Sequence, residues 1–167
     1  SPMNDFTKTL EDMFAFNTRV VRLGLEDLED KDALHRMRGG EGSSISFLVG
    51  HLLASRASAL KMVGEDLPEP LGAKAAAQGS EFPKVAQLAR EWNEVALRFS
   101  EALGKLDAEQ VLAPAGGLPV SDQTVRGALM FRAWHESYHV GQIGLIRTEL
   151  GYAPLRDRLR ADIKPEE

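Results

Sequence analysis

Residues 135–139 read His-Glu-Ser-Tyr-His, and a further histidine stands well upstream at His51. On a helix, residues four apart lie on one face in adjacent turns. His135 and His139 therefore offer two imidazoles to one metal ion, a spacing by which a single helix supplies two ligands. The polar line continues one turn each way, to Arg132 and Gln142, on a segment that also carries Leu129, Ile143 and Ile146. Such a line beside an apolar face needs partners, because burying polar groups unpaired is costly.

His51 and His35 are the other imidazoles that a metal site has at its disposal. His51 sits among Leu48, Leu52 and Ser55, close to the apolar side of its segment, and by itself reads as a satisfied polar residue. His35 lies in the KDALHRMRGG connection and reads as a solvent-facing loop residue. Counting rise per residue puts His51 about 10 Å from the start of its helix and His139 about 16 Å from the end of its own. If the two helices are antiparallel neighbours, His51, His135 and His139 fall at similar heights. Three neutral imidazoles with one side left open make a catalytic kind of site rather than a closed structural one.

The string also matches His-Glu-x-x-His, the helix signature of zinc peptidases, in which the glutamate is the general base and a further ligand follows downstream. The extended form fails here. Gly141 comes one position early, no histidine follows His139, and Glu149 lies about 15 Å further along the same helix. Glu166 and Glu167 are in the tail. Glu136 reads better as a solvated or interhelical charge than as a base. Gly141 and Gly144, just after the histidines, fit either close helix packing or the approach of a ligand.

Composition bounds the rest. The chain has 167 residues, 43% hydrophobic and 27% charged, the balance of one ordinary globular domain spanning 1–167. Its net charge is −5 and its 20 basic residues form no stripe, so no nucleic-acid partner is expected. No apolar run approaches a membrane span. With no cysteine, disulfides and thiolate ligands are excluded, any thiol must come from outside, and a cytoplasmic setting fits.

Four segments with an apolar period near 3.6 must position the histidines. The first runs over roughly 4–29, with Phe6, Leu10, Met13, Val20, Gly24 and Leu28 on one face. The second runs over 44–63 behind an N-cap at Ser43 or Ser44. The third starts near Pro83 and runs to about 105, and the fourth runs over 122–150, from a cap at Ser121-Asp122 to a stop at Gly151. This predicts an all-α four-helix bundle. The stretch 64–80 spans about 55 Å if extended, enough to cross the bundle and join parallel neighbours. Its AKAAA run is too short to hold a helix alone, and the charged residues from Ala153 are expected on the surface.

The string Tyr138-His139-Val140-Gly141-Gln142 resembles the Y-H-x-G-Q signature of the DinB-like (DinB/YfiT-like) superfamily. "GEGSSISFLVGHLLASR" is similar to that family's second-helix start, with His51 as the upstream metal histidine, and the resemblance spans nearly the whole chain. It implies an up-down-down-up bundle, usually a homodimer, with a divalent metal such as zinc or nickel on His51, His135 and His139. It also implies a transferase or isomerase using a low-molecular-weight thiol cosubstrate. In such an enzyme Gln142 would orient a ligand histidine or a water, Arg132 would bind a cosubstrate carboxylate or serve packing, and Tyr138 would flank the site. A metal-dependent amide or ester hydrolase, and a non-catalytic stress-related metal- or ligand-binding protein, are the alternatives.

Overall fold

The computed structural model of the chain describes residues 2–163; Glu166 and Glu167 lie outside them. Four long helices carry the structure: α1 (Pro2–Glu26), α4 (Ile45–Met62), α6 (Val85–Gly104) and α8 (Val125–Glu149). Short helices join them: α2 (Asp30–Ala33), α3 (Met37–Gly40), α5 (Leu71–Gln78), α7 (Ala108–Leu112) and α9 (Leu155–Asp162). Among the described residues there is no strand, only an isolated bridge between Pro114 and Thr124.

The helix ends follow capping chemistry. Ser44 caps α4 by accepting from the Phe47 amide, and Gly151, at φ 85°, ends α8 in the left-handed conformation that glycine adopts freely. The other expected cap shifts. Asp122 accepts from the Thr124 amide and hydroxyl instead, and α8 begins three residues later, at Val125.

α1 packs on α6 and α8, and α4 packs on the same two, so each long helix has two neighbours. Trp92 donates to the Thr18 carbonyl while Phe14 meets Phe99 edge-on, so α1 and α6 run in opposite senses. Asn17 meets Ser137 and Gly24 meets Arg147, so α1 and α8 run in the same sense. His51 faces His135 while Ser55 meets Arg132, which sets α4 against α8. Leu48, Leu52, Leu53, Leu88, Trp92 and Leu129 are buried in the shared core, each worth about 1.5–3 kcal/mol of transfer free energy. Met13, expected on the buried face, is exposed, and Phe14 takes the core position.

The stretch expected as a plain crossover contains α5, and the reason is tertiary. The Glu91 carboxylate accepts from the Leu71 and Gly72 amides at 2.6 and 2.8 Å, capping α5 from another helix, and left-handed Gly79 closes its other end. Gly50 of α4 lets the Gly72 carbonyl approach; a Cβ there would collide with that backbone oxygen and with the Ala76 methyl. Gly50→Ala is therefore expected to lower unfolding free energy by about 1–3 kcal/mol, read by urea denaturation, through overpacking of the α4–α5 contact.

The C-terminal segment is also better anchored than its charge suggests. Arg19 donates to Asp162 at 2.8 Å and to the Leu159 carbonyl at 3.0 Å. Arg147, fully buried, donates to the Gly24 and Ala153 carbonyls and to Asp27, tying α8 to α1 and to the segment leading into α9.

Candidate metal centre

α4 and α8 bring the three histidines together. His51 lies two turns into α4; His135 and His139 lie on consecutive turns of α8. His135 Nε2 is 3.0 Å from His51 Nε2 and 3.0 Å from His139 Nε2, and one nitrogen from each ring lies within 4.8 Å of the others. No carboxylate joins this group among the described residues.

The donor set fits a cation. Gln142 Oε1 lies 2.6 Å from His139 Nδ1, and a carbonyl oxygen only accepts, so Nδ1 carries a proton, and in the neutral ring this tautomer leaves the lone pair on Nε2. His135 Nε2 faces two other ring nitrogens at once, and neutral imidazoles cannot place a proton along both lines while all three present lone pairs. A shared positive ion satisfies all three. Aromatic rings hold the cluster from outside: Phe47 stacks on His51 with ring planes 7° apart, Phe131 lies against His135, and Tyr138 meets His139 edge-on. Phe47 and Phe131 each stand four residues before the histidine they contact, a helical spacing that could have singled them out in the sequence.

Burial is the larger cause that lowers the His51 pKa, with the His139 charge adding to it. Burial, and then the charges of His139, His51 and Arg132, bring His135 down to about 4. Both rings are therefore neutral at pH 7, the form a metal requires. In the unfolded chain a histidine titrates near 6.5. Between pH 6.5 and about 4 the unfolded state binds more protons, so metal-free stability is full above pH 6.5 and declines as pH falls towards 4. Melting temperatures of the metal-free protein across pH 4–8 check this; His135→Ala should flatten the decline.

The remaining expected residues separate. Arg132 is committed to α4, donating to the Ser55 carbonyl and hydroxyl at 2.9 and 3.1 Å and to the Ser58 hydroxyl at 3.2 Å. Tyr138 is more than half exposed and stacks on the equally exposed Trp134. His35 is exposed between α2 and α3 and takes no part in the cluster. Gly144 faces the Leu155 side chain, so it serves helix packing, whereas no neighbour among the described residues accounts for Gly141.

Glu136 is the interhelical charge, not a base beside the histidines. It is 1% exposed, and Arg56 of α4 donates to both its oxygens at 2.6 and 2.9 Å. The Arg56 guanidinium lies 4.1 Å above the Trp92 ring. Glu136 follows His135 directly and so projects to another side of α8, into the bundle core. The zinc-peptidase arrangement, with its glutamate on the metal water, is absent. Sequence reasoning missed Arg56, because nothing in its spacing marks it as the partner of Glu136.

Two cavities flank the cluster. One, of about 340 Å³, is lined by His51, His135, Arg132, Phe131, Leu118 and Pro119. The other, of about 590 Å³, includes Phe47 and Gln142 in its wall.

A helical bundle whose facing helices present three convergent imidazoles is, by construction, a candidate metalloprotein. Its sequence matches the DinB superfamily over residues 13–143, and the chain belongs to that superfamily. No curated protein matches it. Among solved structures it is similar to YfiT from Bacillus subtilis, described as a probable metal-dependent hydrolase with an unusual four-helix bundle topology. That likeness has a TM-score of 0.63 at 19% identity and covers 90% of this chain and 88% of the other, so it shows the fold: a four-helix bundle.

Proposed function

We propose that this single-domain protein is a metal-dependent small-molecule enzyme in which His51, His135 and His139 hold one divalent ion, zinc or nickel. The observation that carries this is the convergence of their three Nε2 atoms, with cavities on two sides. Within this reading the reaction is a transfer or isomerisation using a low-molecular-weight thiol. A bound dication lowers the pKa of a coordinated thiol, supplying a thiolate at neutral pH.

The chain's own residues do the rest. Gln142 fixes the His139 tautomer, keeping Nε2 available. Phe47 and Phe131 hold two of the rings and exclude water from one side of each. Arg132 ties α8 to α4 beside the cluster and so keeps His51 and His135 in register. Tyr138, itself exposed, meets the His139 ring edge-on. The helix senses favour the up-down-down-up order. A homodimer also belongs to this proposal, because Met130, Trp134, Tyr138 and Leu145 leave an exposed apolar stripe along α8. No helix among the described residues is long and apolar enough to cross a membrane, and a cytoplasmic setting with its reduced thiols suits the chemistry.

The test is spectroscopic. Cobalt(II)-loaded protein titrated with a small thiol should develop a near-ultraviolet thiolate-to-cobalt band that saturates at one thiol per metal. Bound cobalt whose spectrum no thiol alters would remove the thiol step. The description of YfiT favours metal-dependent hydrolysis as the second reading, and ester or amide turnover by the same sample would support it. Glu136 cannot serve as its base while paired with Arg56.

A further inference from the structure

The larger cavity opens where the turn before α4 meets the C-terminal half of α8, and two of its lining residues touch the histidines: Phe47 stacks on His51, and Gln142 bonds His139. Met37, Phe47, Phe82, Leu145 and Ile146 give it an apolar floor. Its charged lining is Arg36, Arg38 and a single acid, Glu41.

Among the described residues the two arginines have donors to spare. Arg36 uses Nε on the Gly42 carbonyl at 2.9 Å, and its two terminal nitrogens meet no described residue in a hydrogen bond or ion pair. Among the described residues Arg38 has only Glu41, at 3.7 Å, beyond hydrogen-bond length and between exposed groups, where such a pair is worth little. The arginines on the other side of the cluster and in the core, Arg132, Arg56 and Arg147, are by contrast committed to oxygens of the chain. Backbone geometry adds to this. Arg38 sits at φ 55°, ψ 46°, a left-handed conformation that costs a residue with a Cβ roughly 1–2 kcal/mol. Strain of this kind concentrates where binding or catalysis uses it. The N-terminus of α4 points its partial positive charge into the same region, and no acidic residue in its first turn offsets that charge.

We propose that this cavity receives a carboxylate-bearing small molecule, its carboxylate held by Arg36 and Arg38 and its apolar stem lying along Phe47 and Leu145 towards the histidines. The planar guanidinium fork suits a planar carboxylate, and a cavity this size suits a molecule of a dozen or so heavy atoms. This rests on the metal-centre reading for what the molecule does next, but not for its binding. It also moves the carboxylate partner away from Arg132, whose donors are already engaged.

The experiment follows the amide spectrum of the ¹⁵N-labelled full chain, metal-free and after zinc addition, titrated with hexanoate and, separately, with the neutral analogue hexanol. Hexanoate should shift the signals of Ser43, Phe47 and Gln142 and bind about tenfold more tightly than hexanol, the ratio expected for one charge-assisted contact. The Arg36→Gln/Arg38→Gln double variant should lose that preference while its zinc content stays at the wild-type level. If the double variant loses its dispersed spectrum, Arg38→Gln alone, whose side chain pairs among the described residues only with an exposed Glu41, should still reduce the preference. Equal binding of hexanoate and hexanol by the wild type, or an unchanged preference in the variants, overturns the proposal. A hexanoate preference in protein that takes up none of the added zinc would keep this subsite and overturn the metal centre; zinc uptake without the preference would do the reverse.

Discussion

His135→Ala is expected to strip the protein of its metal, from near one ion per chain to a small fraction, by elemental analysis of untagged protein after gel filtration. His135 is the central member of the cluster: its Nε2 faces both other imidazoles at 3.0 Å, whereas the second contact of His139 is to Gln142. Losing a group that merely orients a ligand costs about 10–100-fold in affinity, and losing the middle ligand itself should cost more. Fold stability gives the counterpart. His135 Nδ1 is buried with no partner among the described residues, so in the metal-free protein this side chain is a burden, and more so below pH 6.5, where burial holds its pKa near 4 and the unfolded chain binds the proton instead. Metal-free His135→Ala should therefore melt no lower than the metal-free wild type, while zinc raises the melting temperature of the wild type only. A variant that keeps its metal would show that two histidines and some other group make the site, and the three-histidine reading would fall.

The largest expected loss of stability comes from breaking the Arg56–Glu136 pair. Both side chains are almost fully buried, at 2% and 1% exposure, and Arg56 also donates to the Thr18 hydroxyl and the Phe14 carbonyl. Removing one partner strands a charge in the core, which costs about 3–5 kcal/mol. For a chain of this length that is a fall on the order of 10 °C in melting temperature. Arg56→Met and Glu136→Leu should each show it, whereas the double change should recover much of the loss, because replacing a buried pair with apolar side chains is often nearly neutral. The same pair decides a functional question. If Glu136→Gln left the melting temperature unchanged but abolished an ester hydrolysis, Glu136 would be a base after all, and the bundle-core assignment would be wrong.

Much of this protein is determined by its sequence alone. The apolar stripes of α1 and α6, the Ser44 cap and the Gly151 stop are local properties, governed by helix geometry and by hydrogen bonds a few residues long. The shared direction of His135, His139 and Gln142 is local too, since 3.6 residues per turn puts them on one face in any helix. The tertiary structure decided what depends on residues far apart in the chain. His51 reaches His135 only because α4 lies against α8 at that register, and only because Arg56 and Ser55 of α4 meet Glu136 and Arg132 of α8. The run around AKAAA forms a helix because Glu91, on α6, caps it and Gly50 makes room for it. Glu136 shows the division best. Read locally, it completes a peptidase motif; packed into the core, its carboxylate is taken by Arg56, 80 positions away. A motif states which groups share a helix, but the burial and pairing that fix a charge's role come from helices the motif does not contain.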